Sequence, residues 1–169
     1  SENEFEKAEL EVDEDLKDAI KLAVQNILSF HKAQLRDDTR IITYPGVECW
    51  QRTVPIERVG LYIPGGTAPL FSTVLMLAIP ANIAGCNDII LCTPPRPDGT
   101  VHPAILYSAR ITGVTKVFKV GGIQAIGAMT FGTKSIPPVY KIFGPGNQYV
   151  TAATQIVTRY GVAIDMPAG

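Results

Sequence analysis

Two glycine-rich turns carry the residues of this sequence that are best suited to holding a ligand. Gly144-Pro145-Gly146-Asn147 and Gly121-Gly122-Ile123-Gln124 each follow a short apolar run. Backbone N–H groups at a helix start favour anions, and glycine lets a ligand approach the backbone closely. Asn147 is suited to cap the helix that follows, to donate to a ligand, or to do both. Gln124 is either a ligand contact or an ordinary surface residue. This chemistry is that of binding a nucleotide or another anionic cofactor.

Neither turn is a complete phosphate-binding motif. Tyr149 stands where the dinucleotide pattern G-x-G-x-x-G has its third glycine. Residues 127–135 superficially resemble a P-loop, but they contain an additional threonine before Lys134. That stretch is expected at the end of a helix, where backbone carbonyl groups repel phosphate. We therefore reject it as a phosphate site.

Residues for bond-making chemistry are scarce. The two histidines, His31 and His102, lack the spacing of a zinc site, and no G-x-S-x-G motif occurs. We expect His31 to be a packing residue. Asp165 lies at the end of the last apolar run, where a lone carboxylate fits a structural role as well as a functional one. The residues alone indicate a cofactor-binding unit without catalytic residues or metal ligands.

The elements that must position these turns are five short apolar runs rich in β-branched residues. They are residues 59–63, 88–92, 116–120, 139–143 and 162–166. Helix-like segments at 70–84, 101–113, 122–132 and 147–160 separate them, and a glycine is either the last residue of each segment or directly follows it. This alternation predicts an α/β fold, an incomplete Rossmann-like parallel sheet of five strands with flanking helices. Such sheets bind ligands at the carboxyl ends of their strands, where the glycine-rich turns lie.

A long helix and a β-hairpin are expected before this unit. Residues 1–12 show no strong pattern and are expected to fray or pack loosely, whereas apolar residues from Asp13 to about Leu35 follow a helical period. Alternating residues around Pro45-Gly46 predict the hairpin, with Trp50 in an ordinary hydrophobic contact rather than serving as a stacking platform. We expect Pro80 to kink or divide its helix. Residues 1–57 would belong to an incomplete first domain, and residues 58–169 would form the Rossmann-like domain.

Composition narrows the possible functions. The chain has 169 residues, of which 46% are hydrophobic and 18% charged, and its formal net charge is −1. The chain therefore has no basic field to attract nucleic acid or anionic lipid. Its sequence also has no apolar run long enough for a membrane span. Three cysteines, Cys49, Cys86 and Cys92, are an odd number. We expect them to be reduced and buried, in a cytoplasmic protein.

Several longer strings, in the same order, resemble the histidinol dehydrogenase family. They are residues 60–76, Ile83-Ala84-Gly85-Cys86, residues 120–126, residues 141–147 and residues 163–169. The resemblance extends back through the predicted helix at Asp13–Leu35 and so covers nearly the whole chain.

The resemblance implies an enzyme that oxidises L-histidinol to L-histidine through the aldehyde, in the last steps of histidine biosynthesis. Members of the family use two NAD in succession and a bound zinc ion, and they form homodimers. The family's NAD-binding tyrosine, glutamine and asparagine fall on Tyr62, Gln124 and Asn147. Its substrate-contacting serine, zinc ligands and Glu-His pair have no counterpart here. The resemblance therefore implies the NAD-binding portion of the enzyme, inactive by itself.

Two other interpretations stay open. One is a non-catalytic α/β module that binds a nucleotide or metabolite, with the long helix as an interaction element. The other is a different NAD-dependent enzyme, such as an aldehyde dehydrogenase. That enzyme needs a reactive cysteine, whereas Cys86 and Cys92 fall in predicted core positions.

Overall fold

The computed structural model describes residues 1–66, 68–114 and 116–165. Its helices are α1 (Glu2–Glu11), α2 (Glu14–Lys32), α3 (Phe71–Ile83), α4 (Pro103–Ile111), α5 (Gly122–Phe131) and α6 (Gln148–Val157). Its strands are β1 (Thr39–Tyr44), β2 (Val47–Gln51), β3 (Arg58–Tyr62), β4 (Asp88–Thr93), β5 (Lys116–Lys119), β6 (Lys141–Phe143) and β7 (Ala163–Ile164). None of the helices in these ranges has the length and apolar character to cross a bilayer.

Five of the strands form one parallel sheet in the order β5-β4-β3-β6-β7. The chain moves outward from β3 to β5, then returns across the sheet to β6. This reversal creates a topological switch point between β3 and β6, where sheets of this class form a ligand crevice at the carboxyl ends. The predicted fold class is confirmed, and all four glycines that follow helices have positive φ angles.

Alternating side chains of β3 divide the core into two layers. Val59, Leu61 and Ile63 pack in the layer that contains α3 and α4. Tyr62 faces the opposite layer, formed by α5 and α6. Both faces of the sheet are covered, as parallel sheets require. The alternation therefore fixes which layer the Tyr62 ring enters.

An ion-pair cluster ties the amino ends of three neighbouring strands together. Asp88 at the start of β4 accepts from Arg58 Nε at 2.8 Å and from Lys116 Nζ at 2.5 Å. The Arg58 guanidinium also donates to the carbonyl oxygen of Pro138 at 3.0 Å. These charged groups lie at the opposite end of the sheet from the glycine-rich turns, so we assign them a structural role.

One expectation about the helices was wrong: residues 2–11 form helix α1, and its Phe5 and Ala8 side chains are buried in the core rather than loosely packed. Of the two outcomes expected at Pro80, division does not occur, because helix α3 continues to Ile83. A kink at Pro80, which lies in the last turn of the helix, stays a prediction. Helix α2 agrees with the prediction, with the Asp13 side chain accepting from Leu16 N–H at 2.8 Å.

The β1–β2 hairpin forms as predicted, but it does not bury its side chains. Every residue of both strands is exposed. Trp50 is 62% exposed, and the Arg40 guanidinium lies 5.9 Å from its ring centre. The expected hydrophobic contact of Trp50 is therefore wrong, as is the expected burial of Cys49. The division of the chain at residue 57 stays a prediction. Residue 166, the last of the fifth run, and residues 167–169 lie outside the described residues.

Candidate functional site

Pro94, in the turn after β4, holds the turns after β3 and β5 together. A Cβ atom on Gly65 would lie 2.5 Å from Pro94 Cγ, and one on Gly121 would lie 2.5 Å from Pro94 Cβ. Any larger residue at either position would force these turns apart. The tips of three adjacent strands therefore form one continuous surface.

Gly144 joins the turn after β6 to the same surface. Its φ angle is +134°, and a Cβ atom there would lie 2.1 Å from the backbone oxygen of Tyr62. L-residues rarely adopt this φ, and the nearby atom belongs to the backbone, so it cannot rotate away. The glycine of the Gly144-Pro145-Gly146 turn is thus required for its close approach to the end of β3, across the switch point.

The Tyr62 side chain reaches the third turn. Its hydroxyl oxygen accepts a hydrogen bond from the backbone N–H of Gly122 at 3.0 Å. The Tyr62 residue is only 4% exposed, so its ring is held by the core layer of α5 and α6. Because the oxygen acts as the acceptor, the hydroxyl hydrogen is still available for a ligand.

Gln124 and Asn147 occupy the first turn and the N-cap of two helices beside this surface. Gln124 is exposed, and its Oε1 lies 2.9 Å from the position a Cβ of Gly122 would take. Asn147 is exposed, and its Oδ1 accepts from the N–H groups of Tyr149 and Val150, both at 3.1 Å. In the described part of the chain, Asn147 Nδ2 has no hydrogen-bond partner. Asn147 therefore caps α6 and keeps a donor for a ligand.

The three predicted site residues thus border connected turns. Tyr62 and Gln124 both lie beside Gly122, and the Gly144 backbone lies against the backbone of Tyr62. The arrangement offers one hydroxyl and two amides, which can orient a polar ligand. It provides no acid or nucleophile. Which ligand contacts these side chains stays a prediction.

Sequence reasoning missed Arg96 and His102. Both line a cleft of about 270 Å³ between the turns after β3 and β4. The remaining described lining is mainly proline and glycine: Pro64, Gly65, Gly66, Ala68, Pro69, Thr93, Pro94, Pro95, Pro97 and Ile105. The available signal was the position of Arg96 in a proline-rich turn shortly after the second predicted strand, at the end of the sheet where ligands bind.

Other reactive groups lie elsewhere or are unsuited to catalysis. Burial raises the pKa of the Cys92 thiol to about 12 and also raises the pKa of Cys86, so both favour the thiol over the nucleophilic thiolate. This argues against the aldehyde dehydrogenase interpretation. Asp165 borders a separate, mostly apolar cleft beside Met76 and Phe143. No cluster of three or more His, Cys, Asp or Glu that could hold a metal occurs within residues 1–66, 68–114 and 116–165.

Comparison with known proteins gives a consistent result over the whole chain. A family model described as histidinol dehydrogenase matches residues 1–169. Histidinol dehydrogenase of Bacteroides fragilis (strain YCH46) is 68% identical over 166 residues, 98% of this chain and 39% of that protein. The enzyme of Xanthomonas axonopodis pv. citri (strain 306) is 55% identical over 170 residues, 100% of this chain and 39% of that protein.

A solved structure agrees with both sequence comparisons. The crystal structure of histidinol dehydrogenase from Elizabethkingia anophelis matches with a TM-score of 0.98 and 57% sequence identity. The match covers 100% of this chain and 39% of that one. The chain therefore spans about two fifths of the length of these relatives.

Proposed function

Because the chain belongs to the histidinol dehydrogenase family, we propose that it is the NAD-binding portion of an enzyme that oxidises L-histidinol to L-histidine. The reaction would proceed through the aldehyde, with two NAD consumed, in the last steps of histidine biosynthesis. The observation that carries the proposal is the junction at Tyr62, where its side chain and backbone contact the turns after β5 and β6. This junction lies beside the switch point, where dinucleotides bind in folds of this topology.

Each predicted side chain has a defined part in the proposal. The Tyr62 hydroxyl fixes the Gly122 amide and donates its hydrogen to the bound cofactor. Asn147 fixes the start of α6 and donates through Nδ2, while the exposed amide of Gln124 offers both a donor and an acceptor. Bound NAD would supply the hydride acceptor, and these residues would set its position and orientation.

Zinc does not fit the residues described here. The described ranges lack a cluster of three possible ligands, and His102 uses Nδ1 to accept from Ala104 N–H at 3.1 Å. We derive no step through a metal from this chain. In the proposal, the zinc ligands and the proton-transferring groups belong to the part of the relatives that has no counterpart here.

The proposal also includes partners and location. The intact enzyme would act as a homodimer on a small molecule in the cytoplasm. All three cysteines are free thiols in the structure, as suits a reducing compartment.

Calorimetric titration of the purified chain with NAD and with L-histidinol tests the proposal. We expect saturable binding of NAD, no binding of L-histidinol, and no histidinol-dependent reduction of NAD. A Gln124→Ala, Asn147→Ala double variant should bind NAD at least tenfold more weakly, since two amide contacts are removed. The proposal is contradicted if the folded chain does not bind NAD, or if it reduces NAD in the presence of L-histidinol.

A further inference from the structure

Lys119, the last residue of β5, connects helix α1 to the loop that follows β4. Its Nζ forms an ion pair with the carboxylate of Glu4 on α1. The same Nζ donates to the backbone carbonyl oxygen of Gly99 in the loop, at 3.0 Å. These two contacts form the Lys119 bridge. It links a helix, a strand and a loop that are distant from one another in the sequence.

The alternation of side chains along β5 places Lys119 on the side of the sheet that α1 covers. Val117 packs in the core layer of α3 and α4, and Val120 packs in the opposite layer. Lys119 lies two residues after Val117 and therefore shares its face. Phe5 of α1 is buried in that same layer. Burial of Phe5 thus brings Glu4, the preceding residue, beside the end of β5.

The loop that the bridge contacts has a closed turn at residues 96–100. The N–H of Arg96 donates to the carbonyl oxygen of Thr100 at 2.7 Å, and the N–H of Gly99 donates to that of Arg96 at 2.9 Å. The Asp98 side chain accepts from the N–H of Thr100 at 2.9 Å and from its hydroxyl at 2.7 Å. Because the turn is bonded internally in this way, a contact that fixes the Gly99 carbonyl fixes the whole turn.

The same loop begins with Pro94, which packs against Gly65 and Gly121 at the candidate site. Only Pro95 separates Pro94 from the closed turn, and its fixed φ angle limits the backbone freedom between them. At the other end of the bridge, Lys119 lies two residues before Gly121. The Lys119 bridge and the Pro94 contact therefore join the loop after β4 to the end of β5 at two points.

The ion pair of the bridge is partly open to solvent. The side chains of Glu4 and Lys119 are each 38% exposed. The hydrogen bond from Lys119, with a smaller contribution from the amino-terminal group, lowers the pKa of Glu4 to about 2. Glu4 is therefore ionised throughout the neutral range. An ion pair with this exposure makes a modest contribution, so its effect on a neighbouring site should be small and measurable.

We propose that Lys119 and Glu4 are positioning residues of the candidate site: the Lys119 bridge holds the loop after β4, and with it Pro94, where the turns after β3, β4 and β5 form one cofactor-binding surface. The inference rests on the proposed function, because the ligand whose affinity the bridge would affect is NAD. It gives helix α1 a part in cofactor binding, although α1 carries none of the residues proposed to contact NAD.

Calorimetric titration of the full chain and its variants with NAD tests this inference. Lys119→Gln should weaken NAD binding about threefold, the effect of losing a partly exposed ion pair. Glu4→Gln should cause part of that loss, because Lys119 can still donate to Gly99 and a glutamine keeps the capping box of α1. The double variant should bind NAD like Lys119→Gln alone, since both changes remove the same ion pair. Lys119→Arg keeps the charge and should restore most of the affinity.

Two matched variants control for a general loss of stability. Lys116→Gln removes an ion pair with Asp88 on the same strand, at the opposite end of the sheet. Glu2→Gln removes an ion pair with Arg110 on the same helix, at 3.1 Å. Neither pair reaches the loop after β4, so both variants should bind NAD as tightly as the unmodified chain. The titrations are made at a temperature at which every variant is folded.

Hydrogen exchange measured without ligand gives a second readout. The amides of Arg96, Gly99 and Gly122 are all hydrogen-bonded, and they lie in the two turns that the bridge would hold. In Lys119→Gln, these amides should exchange several-fold faster than in the unmodified chain and in Lys116→Gln. The inference is overturned if Lys119→Gln leaves NAD affinity unchanged, if the control variants weaken binding equally, or if the exchange of the three amides does not change.

These outcomes separate the inference from the proposed function. If the unmodified chain binds NAD and Lys119→Gln binds it equally well, the inference fails and the proposed function stands. If the unmodified chain does not bind NAD, the proposed function fails. Exchange of the three amides then decides whether the Lys119 bridge positions the two turns.

Discussion

The hydroxyl oxygen of Tyr62 accepts a hydrogen bond from the backbone N–H of Gly122, 60 residues away in the chain, at 3.0 Å. This bond links the end of the central strand to the amino end of α5, beside the exposed Gln124. Under the proposed function, this one side chain would serve both the shape of the site and a ligand contact. Disturbing Tyr62 should therefore affect stability and binding together.

Tyr62→Phe tests that double role. Removing the hydroxyl leaves the Gly122 N–H without its acceptor, so the free energy of unfolding should fall by about 1 kcal/mol. NAD affinity should fall several-fold because the donor to the ligand is also lost. Urea denaturation and calorimetry measure the two effects. Tyr140→Phe is the matched control, because that tyrosine is 57% exposed at the amino end of β6. If Tyr62→Phe and Tyr140→Phe changed the free energy of unfolding and the NAD affinity equally, the double role assigned to Tyr62 would be wrong.

Gly144→Ala should be strongly destabilising. The new Cβ would lie 2.1 Å from the Tyr62 backbone oxygen, and the φ angle of +134° is unfavourable for alanine. We expect a loss of about 2–3 kcal/mol or more in the free energy of unfolding. Gly127→Ala should instead stabilise by about 0.5–1 kcal/mol, since the site is a helix interior with open space around the new Cβ. If Gly144→Ala and Gly127→Ala had similar denaturation midpoints, the turn at Gly144 would be able to accept a side chain without strain, and the prediction would be wrong.

Asp88 should make stability depend on acid pH. Hydrogen bonds from Lys116 and Arg58 lower the pKa of its carboxyl group below the ordinary value of about 3.9. The folded state therefore binds its proton less readily than the unfolded state. The stabilisation is present above about pH 4 and is lost as the pH falls through the lowered pKa.

Asp88→Asn measures this contribution. At neutral pH it should reduce the free energy of unfolding by about 1–2 kcal/mol, and the difference from the unmodified chain should shrink near pH 3. Asp18→Asn is the control, because Asp18 pairs with Lys21 on an exposed helix surface and such pairs contribute little. A loss that stayed constant from pH 7 to pH 3 would argue against an ionic origin.

His102 should add a second pH dependence. Burial, with a smaller contribution from the charge of Arg96, lowers its pKa below the ordinary value of about 6.5. The neutral ring caps α4 through Nδ1, so its contribution is present above that value and is lost as the pH falls below it. His102→Ala should cost about 1 kcal/mol at pH 7.5, whereas His102→Asn should keep the cap and remove this pH dependence. Thermal denaturation between pH 5 and 8 distinguishes the two variants.

The sequence predicts what local patterns determine. The β-branched runs, the helix-ending glycines and the Asn147 cap depend on neighbouring residues, and the structure has them where the patterns indicate. Helix α1 was missed because only Phe5 and Ala8 of its residues are buried, too few to give a clear helical period. Trp50 was misjudged because strand alternation shows which side chains share a face but not whether anything covers that face.

The candidate site was only partly predictable. Its turns follow from the rule that parallel strands end on one side of the sheet, and resemblance supplied Tyr62, Gln124 and Asn147. The bond from Gly122 to Tyr62 and the packing of Pro94 between Gly65 and Gly121 depend on the spatial order of the strands. Arg96 was missed for the same reason, since only adjacency of the turns after β3 and β4 places it in a cleft.

The exposed β1–β2 hairpin has a consequence for hydrogen exchange. A two-stranded hairpin with no buried side chains is held mainly by its own backbone bonds, which are marginal in water. Its amides should therefore exchange with deuterium through local opening, orders of magnitude faster than those of β3 and β4. In the isolated chain, the segment around Pro45-Gly46 should also be the first to be cut by a protease, while the parallel sheet remains intact.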